Sequence, residues 1–479
     1  MNTSALFTDF YELTMAQGYW KHGLDTEAVF DMFFRRHPFH GGFSVFAGLD
    51  PLLAILESIR FHQDDLAWLE SQGIFETGFL RYLEDFRFKG DIWSVDEGET
   101  IFPQVPLLRI HAGLVEAQII EGLVLNTINF QSLIATKSSR VSMAARNGAV
   151  MEFGLRRAQG FNGAMSASRA SFIGGSAATS NALAAKDLGI PAMGTMAHSW
   201  VMAFPSEREA FEAYADMYPK GTTLLIDTYD TLASGLWNAI AVGRRLAEQG
   251  RSIGIRLDSG DIDYLSRKVR EALDKNGLEN ATIVVSNELD EEIIERLVSE
   301  AAPVDVWGVG THLVTGGKEA SFSGVYKLAA VKRDGSMEAT MKFSDNPEKT
   351  TNPGVKEAYR LFDENGMAIA DVLALSDEKI EMGVMKTFYH PSLDPRRFSF
   401  ASCREPKRLL ERVMAGGKRL RPPLALEVIR ERRAASLASF DHTFLRFLNP
   451  HVYKVSVTEE LRKLKLGFVE RFRGVNPAS

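Results

Sequence analysis

The chain has 479 residues, 45% of them apolar and 24% charged, which suits a soluble globular protein of more than one domain. Its 55 lysines and arginines against 62 aspartates and glutamates leave a net charge of −7, excluding the global basic field that draws proteins to nucleic acid or anionic membranes. One cysteine, Cys403, excludes an intrachain disulfide; with no bilayer-length apolar run and no signal-peptide pattern in MNTSALFTDF, a cytoplasmic setting is expected.

Taken in order, residues 8–23 (TDFYELTMAQGYWKHG) predict one helix, with Asp9 and Glu12 as a capping box and Gly23 as its stop. Tyr11 on this helix reads as an interfacial aromatic. AVFDMFFRR and FSVFAGL then read as strands, PLLAILESI and DDLAWLESQG as helices, and DIWSVDEGETIFPQVPLLRIHAGL as strand–turn–strand. Residues 1–130 are therefore expected to form an α+β domain, which the resemblance described below makes a sandwich. His37, His40, His62 and His111 have no metal-ligand spacing.

From about residue 148 a different rhythm begins, in which short apolar runs alternate with helical ones. The runs AVMEFG, ASFIGG, PAMG, TTLLID, SIGIRL, ATIVVS and VDVWGVG read as strands, and GVYKLAAV is a candidate eighth. This βα spacing predicts a parallel sheet closed as a TIM-like α/β barrel over 131–330. Residues 331–400 are expected to return to the sandwich, and 401–479 to form a C-terminal helical and strand extension. In the latter, ten basic and four acidic residues between Arg404 and Arg433 read as solvated helix faces split at Pro422-Pro423. Lys349 and Lys356 could reach phosphate, but read as exposed, solvated lysines.

The strand ends carry the chemistry. IGIRLDSGDID (253–263) finishes a β-branched run in Arg256, Asp258, Ser259, Gly260 and Asp261. Read as a helix start, it makes Asp258 or Ser259 the N-cap and puts Asp261 in the first turn. Read as a site, it joins the cations Arg156, Arg157, Arg256 and His198 and the carboxylates Glu152, Asp227, Asp230, Asp258 and Asp261 at other strand ends. Gly174, Gly175, Ser176, Gly308, Gly310 and Thr311 add small, phosphate-friendly turns. Such a mouth suits an anionic, phosphorylated, hydroxyl-rich ligand with a divalent metal. His198, in GTMAHSW, is placed to act as a general base or as a nucleophile accepting a phosphoryl group.

Together, TDFYELTMAQGYW, MEFGLRRAQG, GTMAHSW, IRLDSGD and the 306–311 run resemble nicotinate phosphoribosyltransferases, type II phosphoribosyltransferases, over roughly residues 4–400. The resemblance implies a sandwich beside an irregular barrel in a homodimer with shared active sites. It implies that nicotinate and 5-phosphoribosyl 1-pyrophosphate give nicotinate mononucleotide and pyrophosphate, with Mg²⁺, and with ATP hydrolysis coupled through phosphohistidine at His198. It places Tyr11 on the pyridine ring from the partner chain, Phe153 and Arg156 in the base pocket, and Thr195 and Arg256 at nicotinate. Asp258 falls near ribose and metal, and Thr311, Gly308 and Gly310 on the phosphoribosyl pyrophosphate. Nicotinamide-using relatives carry an Asp in a GTD segment matched here to Gly175-Ser176-Ala177, so Ala177 favours the acid. Nicotinamide or quinolinate transfer on the same fold, a barrel aldolase or isomerase, and a non-catalytic phosphosugar-binding barrel are the competing expectations.

Overall fold

The computed structural model describes residues 4–344, 349–392 and 395–474. The chain divides into two units, Met1–Leu133 with Ser321–Ser479, and Ile134–Ala320; the helix Glu121–Ala144 carries it from the first to the second.

The first unit rests on two sheets. Glu27–Phe34, rich in phenylalanine and buried beyond its first residue, lies antiparallel between Gly324–Arg333 and Leu108–Gly113 in a seven-stranded sheet. A six-stranded sheet orders Arg397–Phe400, Lys386–Tyr389, Lys454–Val457, Ala368–Leu375, Lys356–Phe362 and Lys407–Arg408. Buried ion pairs join the two: Lys356 Nζ is 2.8 Å from Asp31, and Arg109 is 2.7 Å from Glu357. Deleting one partner of such a pair costs about 3–5 kcal/mol, because the other charge stays buried. Lys356 is thus an internal structural lysine, not a solvated one.

The basic stretch keeps most of its cations exposed, as expected, but it is not wholly helical. Glu411–Ala415 and Lys418–Arg419 form a hairpin whose Gly416-Gly417 turn has φ of 55° and 73°, the left-handed conformation that tight turns assign to glycine. Helix Leu426–Ala438 follows. Several cations of the stretch are matched to acids far away in sequence: Arg419 reaches Asp50 and Glu57 at 2.9 Å each, Arg412 pairs with Asp91, Arg421 with Asp96 and Lys407 with Glu99. These pairs offset part of the local charge excess.

In the second unit six strands run parallel in the order Ala178–Thr179, Ala149–Glu152, Val306–Val309, Thr282–Val285, Gly254–Leu257, Thr223–Leu225. Parallel pairing brings all their carboxyl ends to one edge. The expected barrel does not close by strand pairing: among the described residues Ala178–Thr179 and Thr223–Leu225 are the outer strands of an open row. Beyond Thr179 the row continues only as a bridge to Ala192, where PAMG is too short and proline-interrupted to form a ladder. The same segment instead reaches the opposite side of the row through side chains. Thr195 and Met196 accept hydrogen bonds from Arg256, and His198 meets Thr228 just past Thr223–Leu225.

Three further expectations change. ASFIGG is the end of helix Gly160–Gly174, not a strand; a six-residue apolar run carries no period that separates the two, and the buried Ala164, Ala167 and Ala170 fall at helical spacing. GVYKLAAV joins the antiparallel sheet of the first unit as Gly324–Arg333. The first helix runs over Phe10–Lys21, and Asp9 makes no side-chain cap bond. Glu12 is fully buried and accepts from the Thr8 hydroxyl instead.

Candidate active site

Of the carboxylates expected at the strand ends, three are absorbed by local structure. Asp261 caps helix Ile262–Lys275, accepting the Tyr264 N–H at 3.0 Å, and Asp230 caps the next turn through the N–H groups of Leu232 and Ala233. Glu152 is buried and accepts from Ser168 Oγ at 2.9 Å, Thr179 Oγ1 at 2.5 Å and the Gly154 N–H. That leaves Asp227 and Asp258. With Asp261 as cap, Asp258 is released from the helix start and turns into the mouth.

There Arg256 is the hub. Its Nη1 donates to Thr195 Oγ1 at 2.8 Å and to the Met196 carbonyl at 3.3 Å, its Nε to Ser286 Oγ at 2.9 Å, and its Nη2 to Asp258 Oδ1 at 2.9 Å. A guanidinium so tied is a fixed cation. Asp258 also accepts from the Ser286 hydroxyl, and its own N–H donates to Asp227 Oδ2 at 3.0 Å. Ser259 Oγ donates to that same Asp227 oxygen at 2.5 Å. His198 opens the short helix His198–Met202, with Nδ1 3.1 Å from Thr228 Oγ1 and Nε2 3.8 Å from Asp258 Oδ2. Its side chain is 42% exposed, so a substrate can reach it.

Phe153 stands beside this cluster, its ring centroid 5.9 Å from the Arg256 guanidinium. Gly308 is the reason the ring fits. It lies inside strand Val306–Val309, and a Cβ there would sit 2.7 Å from Phe153 Cδ2 and 3.3 Å from Ser286 Cβ. The expected place of Gly308 in a phosphate turn is corrected on this ground: it is a buried strand residue that makes room for an aromatic platform. Gly308→Ala should displace the ring, raising the KM of whatever ligand stacks on it several-fold and lowering stability by about 1–3 kcal/mol. Steady-state kinetics with thermal melts checks both.

Gly310 and Thr311 are in the turn after the same strand, at the mouth, where Thr311 Oγ1 donates to Glu288 Oε1 at 3.4 Å and His312 Nε2 lies 3.3 Å from Glu288 Oε2. The exposed Arg156 follows Phe153 in the turn Leu155–Arg157 and makes no described bond to the Arg256 cluster. Tyr11 belongs to the first unit. It is 53% exposed, and burial of its hydroxyl together with Glu121, Glu12 and Asp9 pushes its pKa up to about 12.

Ala177 is not at the mouth. Its N–H donates to the Val150 carbonyl at the amino end of Ala178–Thr179; the residue that emerges from the carboxyl end is Ser180, exposed and bonded to the Glu152 carbonyl beside Phe153. Ser286 and Thr228 were also missed, because a lone hydroxyl at a strand end carries no signal of its own.

Among the described residues no group of three or more histidine, cysteine or acidic side chains is arranged to hold a metal ion, and no helix is long and apolar enough to cross a membrane. A cavity of about 570 Å³ in the first unit, between Phe102, Arg397, Tyr453 and Lys454, contains none of the expected site residues.

Known proteins share this architecture. Residues 6–129, 149–383 and 355–465 match the models described as nicotinate phosphoribosyltransferase N-terminal domain, family and C-terminal domain. Nicotinate phosphoribosyltransferase of Bacillus subtilis is 43% identical over 389 residues, 81% of this chain and 79% of the relative. The crystal structure of human nicotinic acid phosphoribosyltransferase superposes with a TM-score of 0.84 at 30% identity, covering 96% of this chain and 99% of that one. Nicotinate-nucleotide pyrophosphorylase from Pyrococcus furiosus, at 21% identity and TM-score 0.70 over 91% of this chain and 95% of its own, shares the fold.

Proposed function

The chain belongs to the nicotinate phosphoribosyltransferase family, and on that premise we propose that it condenses nicotinate with 5-phosphoribosyl 1-pyrophosphate, for NAD salvage. The ring nitrogen of nicotinate attacks ribose C1, the C1–O bond breaks, and its electron pair leaves with pyrophosphate. ATP hydrolysis is coupled through His198: the γ-phosphoryl passes to an imidazole nitrogen, ADP leaves, and water later releases phosphate. The reaction is placed in the cytoplasm, in a homodimer to which Tyr11 is contributed by the partner chain.

The single observation that carries this reading is the bonded set of Arg256, Asp258 and Thr195 with His198 3.8 Å from Asp258, at the carboxyl ends of the parallel strands. Arg256, with its charge fixed beside the Phe153 ring, supplies the positive end of a pocket for an aromatic anion. Asp258 stabilises the positive charge that develops at ribose C1 as pyrophosphate departs. The turn at Gly310 and Thr311 is suited to phosphate.

Magnesium fits the two remaining carboxylates. Asp227 Oδ1 is buried with no hydrogen-bond partner among the described residues, and the donor set is oxygen throughout, as this ion requires. Asp227 and Asp258 would hold it; when bound it neutralises charge on the leaving pyrophosphate. Phosphoribosyl pyrophosphate with Mg²⁺ should raise the melting temperature, a saturating ligand adding about 2.7 kcal/mol at a hundred times its Kd. An unchanged melt would favour a fold without this site.

Preference for the acid over the amide rests on Ser180. An uncharged residue at this carboxyl end, bonded to the Glu152 carbonyl, admits a carboxylate, whereas an acid there repels it. Ser180→Asp should lower kcat/KM for nicotinate on the order of tenfold or more, with a smaller loss for nicotinamide. The wild type should strongly prefer nicotinate in initial-rate assays, and comparable rates with the two would sink the assignment.

A further inference from the structure

Ser286 has no task in the chemistry described above, yet it touches both principal charges. It follows strand Thr282–Val285, is 4% exposed, and is tied to the neighbouring strand by its N–H, which donates to the Leu257 carbonyl at 2.9 Å. Its hydroxyl accepts the Nε–H of Arg256 and donates its own proton to Asp258 Oδ1, the oxygen that Arg256 Nη2 also reaches.

An arginine and a carboxylate left to themselves favour a fork, with two parallel N–H groups on the two oxygens. Here Ser286 intercepts one tine. Arg256 keeps a single contact with Asp258, and Asp258 Oδ1 takes two donors while Oδ2 stays outside the arginine's grasp, 3.8 Å from His198 Nε2. A closed fork would occupy Oδ2 and withdraw it from the histidine.

We propose that Ser286 is a positioning residue: its hydroxyl keeps the Arg256–Asp258 pair monodentate and so presents Asp258 Oδ2 to His198 and to the substrates. Only the kinetic consequence rests on the phosphoribosyl-transfer reading. Because Arg256 retains Thr195 and Met196, removal of the hydroxyl acts on turnover before it acts on binding of the base.

The test has a structural arm and a kinetic arm. A crystal structure of Ser286→Ala should show Nε and Nη2 of Arg256 on both oxygens of Asp258. An Asp258 that keeps a single contact would overturn the proposal whatever the protein turns over. In the kinetic arm, Ser286→Ala should lower kcat about tenfold to a hundredfold, as small misplacements of reacting groups do, with the KM for nicotinate unchanged. A rise in KM at constant kcat, or no change, would count against it. Should that variant fail to fold, Ser286→Thr must retain turnover and Ser286→Cys must lose it, and equal kcat in the two refutes the role. A wild type without nicotinate-dependent transfer would defeat the functional reading alone, since the crystallographic comparison still decides what Ser286 does.

Discussion

Incubated with [γ-³²P]ATP, the wild-type chain should take up acid-labile label, and His198→Asn should take up none. The geometry motivates this. The imidazole is half-exposed at the start of a short helix, one nitrogen beside the Thr228 hydroxyl and the other turned toward Asp258 Oδ2, so both ring nitrogens have defined neighbours. A phosphoryl group on nitrogen is hydrolysed in acid, which separates it from serine or threonine esters. Loss of an activated nucleophile removes the covalent route altogether, and ATP should then no longer stimulate nucleotide formation. Normal nicotinate mononucleotide synthesis without label in the wild type would leave the transferase reading standing. It would make His198 an acid–base or structural residue and remove energy coupling.

Mixing Tyr11→Ala chains with His198→Ala chains should restore activity that neither variant has alone. If Tyr11 serves the partner's site, each mixed dimer holds one intact site, and random exchange of equal amounts gives about a quarter of wild-type activity in a twofold-symmetric assembly. If Tyr11 serves its own chain, every site lacks one of the two residues and the mixture stays inactive. The measurement is activity after subunit exchange, with mass spectrometry confirming that mixed dimers formed. Tyr11 and Met15, four residues apart on one side of the helix Phe10–Lys21, are both exposed. No recovery in verified mixed dimers would remove the shared-site part of the reading.

Much of the candidate site is legible because its signals are local. A β-branched run followed by Arg256, Asp258 and Asp261 announces a strand, a site and a helix start within a few residues. Asp261 and Asp230 act on N–H groups two or three positions away, a distance that sequence order specifies directly. The same logic fails over longer separations. Ser286 meets Asp258 across 28 residues, Thr228 meets His198 across 30, and Arg419 meets Asp50 across 369. No periodicity encodes such meetings.

The sequence by itself therefore determined the parallel βα rhythm, the identity of the charged strand ends and the family resemblance. Each arises from residues that are neighbours in the chain or recur at the period of one element. Only the tertiary structure decided which carboxylates face the mouth, that Gly308 makes room for Phe153, that Ser180 and not Ala177 emerges from the carboxyl end of Ala178–Thr179, and that strand pairing leaves the row open. It also decided that several cations of the basic stretch pair with acids of the first hundred residues. Those outcomes depend on which strands lie side by side and how closely their side chains approach, and that is fixed by packing of the whole chain.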